Sequence, residues 1–80
     1  MQLLTTIEVS DFDSFKSGFD AEAEKRMQAG LTLLQMWRDT NAARSVMCLF
    51  DVNDRDKAEA WLETEAQTGT QITGRFLRTA

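Results

Sequence analysis

Trp37, Arg38, Asp39, Asn41 and Arg44 fall in one short stretch whose residue types suit the mouth of a small-molecule pocket. A guanidinium over an indole gains about 0.5–2 kcal/mol by cation–π attraction. Arg38 and Arg44 would attract an anionic group, Trp37 would offer an apolar wall, and Asn41 a hydrogen bond. A four-residue turn would set Trp37 across from Arg44. The plain alternative is a stabilising cross-strand pair that binds nothing.

Other residue types limit the reaction chemistry. The chain has no His and one Cys. That excludes a Ser-His-Asp triad, an imidazole base, an ordinary structural zinc site and an intramolecular disulfide. Cys48 sits in an apolar run with no His to activate it, and reads as a buried, inert thiol. Glu8 and the carboxylates that follow it would act as general bases only if burial raised their pKa. Glu8, Asp11, Asp13, Asp20, Glu22 and Glu24 match no cation-binding loop, and read as a solvated helix face. Met27, Met36 and Met47 read as adaptable core packing rather than metal ligands.

With 80 residues and a net charge of −4, residues 1–80 are expected to form one small domain. The acidic balance argues against nucleic acid, which needs clustered Lys and Arg. No apolar run approaches the roughly 20 residues of a membrane span. Met1-Gln2-Leu3-Leu4 lacks the basic start of a secretory signal, and a free thiol stays reduced in the cytoplasm, the expected location.

The elements that would position these residues follow from periodicity. Residues 2–9 alternate and are β-branched, a strand with Leu3, Thr5, Ile7 and Val9 on one face. Ser10-Asp11-Phe12-Asp13 resembles a capping box. Phe12, Phe15, Phe19, Ala23 and Met27 then mark one amphipathic helix over about 11–29. Gly18 inside it points to tight packing, simple tolerance or a bend, and Gly30 to a left-handed stop. Residues 31–38 and 44–52 form a hairpin around the turn formers of 39–43. Asn53 or Asp54 caps a second helix, with Ala58, Trp61, Leu62 and Ala66 as its stripe, ending near Gln67. Residues 71–78 form a fourth strand, where Gly74 signals a bulge or a close backbone approach.

The order β-α-β-β-α-β is the ferredoxin-like pattern: an α+β fold with a four-stranded antiparallel sheet and two helices on one face. Phe12, Phe15, Phe19, Phe50, Phe76 and Trp61 then supply the core between the layers. The same order serves RNA-binding modules, but the apolar run Ser45-Val46-Met47-Cys48-Leu49-Phe50 lacks their basic, aromatic strand.

The hairpin is apolar on both faces. Simple alternation puts Leu31, Leu33, Trp37, Val46, Cys48 and Phe50 on one face, and Leu34, Met36, Met47 and Leu49 on the other. A sheet with one wet face alternates cleanly between apolar and polar. Two helices cover one face only, so a second copy of the chain is expected to cover the other, sheet against sheet.

The whole chain resembles the dimeric α+β barrel superfamily. The resemblance is carried by element order, length, and the Gly30–Val52 hairpin followed by Asn53-Asp54-Arg55-Asp56-Lys57-Ala58. It implies a homodimer and a ligand cavity between helices and sheet, so that Phe15, Phe19 and Trp61 would be core and pocket lining together. The superfamily includes cofactor-independent monooxygenases of the antibiotic-biosynthesis type, isomerases, haem-degrading enzymes and proteins of no known activity. Haem is rejected, because Trp37, Trp61 and Asn41 have no axial His beside them. No cofactor or metal is implied. The expected function is binding of a small apolar or aromatic molecule by Trp37, Arg38, Asn41, Arg44, Trp61, Phe15 and Phe19. The alternatives are a cofactor-independent monooxygenase or isomerase, and an interaction module with no small-molecule site.

Overall fold

A computed structural model describes residues 1–80. The chain runs β1 (Gln2–Glu8), α1 (Phe12–Ala21), α2 (Ala23–Gln28), β2 (Leu31–Arg38), β3 (Ser45–Val52), α3 (Arg55–Gln67) and β4 (Gln71–Leu77). The four strands form one antiparallel sheet in the order β2-β3-β1-β4, an α+β arrangement compatible with the ferredoxin-like order. Central strand β1 pairs with both β3 and β4, and its buried residues Leu3, Thr5 and Ile7 alternate with Leu4 and Thr6. No helix is long and apolar enough to cross a membrane.

The helices start where short polar side chains satisfy free backbone N–H groups. Asp11, not Ser10, caps α1, its Oδ2 accepting from Ser14 N at 2.9 Å. Asp54 caps α3 by accepting from Lys57 N at 3.1 Å. Both use the carboxylate at the positive end of a helix.

The single long helix expected over 11–29 is two helices. The chain breaks at Glu22, whose backbone (φ −96°, ψ 11°) leaves the helical region and whose N–H is shared between Gly18 O and Phe19 O. The break lies four residues after Gly18, and a Cβ on Gly18 would meet no atom within 4 Å, so the glycine serves neither tight packing nor a bend and is simply tolerated in the helix. The break changes what faces inward. Met27 is 72% exposed, against the expectation of a core residue, while Arg26 is buried. The 12-15-19 spacing continues inward to position 26, not 27.

Gly30 has φ +75°, and a Cβ there would run into Asn53 Oδ1. Asn53 N in turn donates to Gly30 O at 3.0 Å, tying the end of the helix pair to the start of α3. Gly74 serves a close approach, since a Cβ would stand 2.8 Å from Leu62 Cδ1 and 3.1 Å from Leu3 Cδ1. That gap is where α3 rests on β4.

Between the layers lie Leu3, Phe19, Leu31, Val46, Cys48, Phe50, Val52 and Ala58. An aromatic ladder crosses this core. Ring centroids step from Phe12 to Phe15 (6.2 Å), to Phe19 (5.4 Å), to Phe50 (6.4 Å) and to Trp61 (5.7 Å, edge-on).

Strand β2 corrects the expected faces of the hairpin. Leu33 pairs with Phe50 but Gln35 pairs with Leu49, so Leu34 is the extra residue of a bulge. Beyond it the alternation is inverted. Met36 pairs with Cys48 and packs on the core, and Trp37 pairs with Met47 on the open face. The open face therefore carries Leu4, Trp37, Met47 and Leu49, with Leu77 at the β4 edge and Leu34 at the bulge.

Candidate functional site

The residues expected to form one mouth around the hairpin turn are not brought together. Trp37 lies on the open face, 45% exposed, with Met47 opposite it rather than Arg44. Arg38 lies on the other side of the sheet. Its Nε donates to Ala43 O at 3.0 Å, and its guanidinium carbon stands 4.5 Å from the centroid of the Phe12 ring. Asn41 serves the turn through its backbone, its N–H donating to Asp39 Oδ1 at 2.8 Å. Arg44 is exposed, and its carbonyl accepts from Val9 N at 2.7 Å. A bulge and a longer turn than expected account for this scatter: each moves a side chain to the opposite face or one step along the ladder.

Phe15, Phe19 and Trp61 do meet. They line a cleft of about 470 Å³ between the α1–α2 pair and α3, over β1 and β4. This lies in the usual range of roughly 300–1,000 Å³ for small-molecule sites. Ile7 and Ile72, paired across β1 and β4, form its floor. Gly18 leaves room on the α1 side, where a side chain would otherwise project. The cleft exists because α1 and α3 share no extended seam; the aromatic ladder bridges them deeper in the core. A broader depression continues from it past Ser10, Asp11 and Arg44.

The polar lining was not singled out from the sequence. Thr64, Thr68 and Thr70 border the cleft beside Glu65. Thr70 Oγ1 approaches Glu65 Oε2 at 3.5 Å, and Thr64 and Thr68 spend their hydroxyls on the α3 carbonyls of Ala60 and Glu65. At the rim, Lys25 and Glu22 form an exposed ion pair at 3.0 Å. Arg26 is the most buried charge in the molecule at 7% exposure. Its Nη1 donates to Phe19 O at 2.6 Å, and its guanidinium carbon stacks 3.5 Å from the centroid of the Phe19 ring. Burial pulls its pKa below the ordinary value, opposed by more distant carboxylates including Asp20 and Glu65. The arginine could have been found by continuing the 12-15-19 seam inward; Glu65 gave no such signal.

Cys48 is fully buried, and burial pushes its thiol up to about 11, so it is a neutral core side chain at physiological pH. The acidic residues of 8–24 do not gather: no group of three or more His, Cys, Asp or Glu is placed to hold a metal ion. Instead Asp11 caps a helix, Asp20 pairs with Lys16 at 2.7 Å, and Glu22 pairs with Lys25. Comparison of the chain with protein-family models, with curated protein sequences and with solved structures gives no match.

Proposed function

We propose that this protein binds a small apolar or aromatic molecule in the cleft between its helices and its sheet, as a homodimer joined through the open sheet face in the manner of the dimeric α+β barrel superfamily. The observation that carries the binding reading is the meeting of Phe15, Phe19 and Trp61 around about 470 Å³ of space. A core short of side chains would normally collapse or fill. Here a glycine on α1 and a run of short threonines on and after α3 keep the space open. The dimer is supported by the apolar residues left on the open face. That face belongs to a body measuring 30 × 28 × 19 Å, large enough for the roughly 800 Å² per partner of a stable interface.

Gly18 gives a direct test of binding. Gly18 lines the cleft and a Cβ there meets no atom within 4 Å, so Gly18→Leu is expected to take up space in the cleft. Titration of wild-type protein with cinnamyl alcohol should move the methyl resonances of Ile7 and Ile72 saturably. The same titration of Gly18→Leu should leave them still. Absence of any shift in the wild type across a panel of aromatic and aliphatic probes would defeat the reading.

Glu65 supports a second reading. It is a carboxylate beside the aromatic walls and pairs with no cation within salt-bridge distance. As a general base it would make the same cleft an isomerase or cofactor-independent oxygenase. Turnover or oxygen uptake that disappears in Glu65→Gln, with binding kept, would establish that reading.

A further inference from the structure

A buried guanidinium normally satisfies its five N–H groups with carboxylates and carbonyls. Arg26 does not. None of the three ion pairs in the molecule includes it, so no carboxylate oxygen lies within 4.0 Å of its nitrogens. Only Nη1 has a protein acceptor, the carbonyl of Phe19. Yet no buried side-chain nitrogen or oxygen lacks a partner. Nε and Nη2, which make no protein hydrogen bond, must therefore be reached from outside, although the residue is 7% exposed. Arg26 lines the cleft, the opening next to this group.

The free edge has a particular shape. Nε–H and one Nη2–H are parallel donors on the same side of the guanidinium, the pair that receives both oxygens of a carboxylate. The ring of Phe19 lies against the guanidinium, its centroid 3.5 Å from the guanidinium carbon, so the ring does not compete for the in-plane donors of that edge. The other charges of the lining do not occupy it. Lys25 and Glu22 neutralise one another at the rim, and Glu65 lies on α3, across the cleft.

From this arrangement we infer that Arg26 is an anion receptor, and that the molecule bound in the cleft is an aromatic or apolar carboxylate whose carboxyl group docks on Nε and Nη2. The inference rests on the cleft being a ligand site, and refines it by assigning a charge to the ligand. Phe15 and Trp61 receive the apolar body, and Glu65 disfavours the reverse orientation.

Cinnamate and cinnamyl alcohol share a skeleton and differ in the charged group, so they separate the two ideas. Followed by the Ile7 and Ile72 methyl resonances, cinnamate should bind at least about tenfold more tightly than the alcohol, as expected for a charge-assisted hydrogen-bond pair. It should also shift the Arg26 Nε–H resonance, which the alcohol should leave in place. Arg26→Met should abolish the preference, leaving cinnamate no tighter than the alcohol, and Glu65→Gln should strengthen cinnamate binding alone. Binding of cinnamate but not of the alcohol would support both the cleft and its receptor. Equal binding of the two, with a static Nε–H resonance, would overturn the receptor and leave the cleft standing. Binding of neither would remove the cleft reading itself. The wild-type comparison decides the matter even if Arg26→Met fails to fold.

Discussion

Asp11 takes the capping role that the sequence pattern assigns to Ser10, while remaining exposed to solvent. The acidic cluster of 8–24 reads as a solvated face, and the structure agrees for Asp20 and Glu22, which pair with lysines at the surface. Asp11 instead caps α1, and its hydrogen bonds from Ser14 hold its carboxyl below the ordinary value of 3.8. A carboxylate with a lowered folded-state pKa stabilises the fold fully above its unfolded pKa, and loses that stabilisation as pH falls through the folded value. The melting temperature should therefore drop as pH falls from about the ordinary Asp value toward the lower folded one. Asn caps equally well but carries no charge. In Asp11→Asn this part of the acid dependence should vanish, with melting temperatures of the two proteins converging at the lowest pH. Parallel melting curves for the two proteins across that range would show that Asp11 does not contribute. Arg26, missed from sequence, lies seven residues beyond Phe19 on the same seam; the apolar Met27 beside it drew the stripe one position too far.

The four strands, their order and the helical stretches between them were legible because each has its own period, with turn chemistry at its ends; the split of the first helical stretch into α1 and α2 was not. What alternation could not carry was the bulge in β2. Leu33 and Leu34 stand side by side where a strand facing water on one side would have one apolar and one polar residue, and that doubling is the visible sign of the shift. Reading through it placed Trp37 and Met36 on each other's faces, and with Trp37 went the expected apolar wall of the binding site. Gly74, expected to mark a bulge or a close backbone approach, sits in an unbroken ladder and is approached by the side chains of Leu62 and Leu3 instead, which yields a prediction about how α3 sits on β4. A methyl at position 74 would crowd Leu62 and Leu3. Gly74→Ala should destabilise the protein by about 1–3 kcal/mol through overpacking. Leu62→Ala alone should cost about 1–3 kcal/mol as a partly filled cavity. Combined, the methyl occupies the space vacated by the leucine, and the double variant should be about 1 kcal/mol more stable than the sum of the two losses. Urea denaturation of the four proteins measures the cycle, and strict additivity would mean that α3 does not rest on this contact.

At the scale of the whole molecule, small size and an uncovered sheet face belong to one problem. Only 12 of the 80 residues are buried, a thin core for a chain on its own. Leu4, Met47 and Leu49 are already half-shielded by their neighbours on the open face, while Leu34, Trp37 and Leu77 stand 51%, 45% and 38% exposed around them. Polar residues interrupt the patch at Gln35, Thr6 and Thr73, so association there would be specific in register rather than a general stickiness. Two-fold packing of the sheets would bury each Trp37 against the apolar residues of the other copy. Trp37→Lys then tests the dimer with little risk to the fold, because position 37 points away from the core. A buried, unpaired ammonium in each half of the interface would cost about 3 kcal/mol or more, at least a hundredfold in the dimerisation constant. Light scattering at high micromolar concentration should give the wild type roughly twice the 9.1 kDa chain mass, and the variant the chain mass itself. The wild-type melting temperature should rise with protein concentration, since the partner copy binds only the folded state, and that of the variant should not. A wild type that scatters as a single chain at such concentrations, with a melting temperature independent of concentration, would leave the sheet face uncovered and the dimer proposal without support.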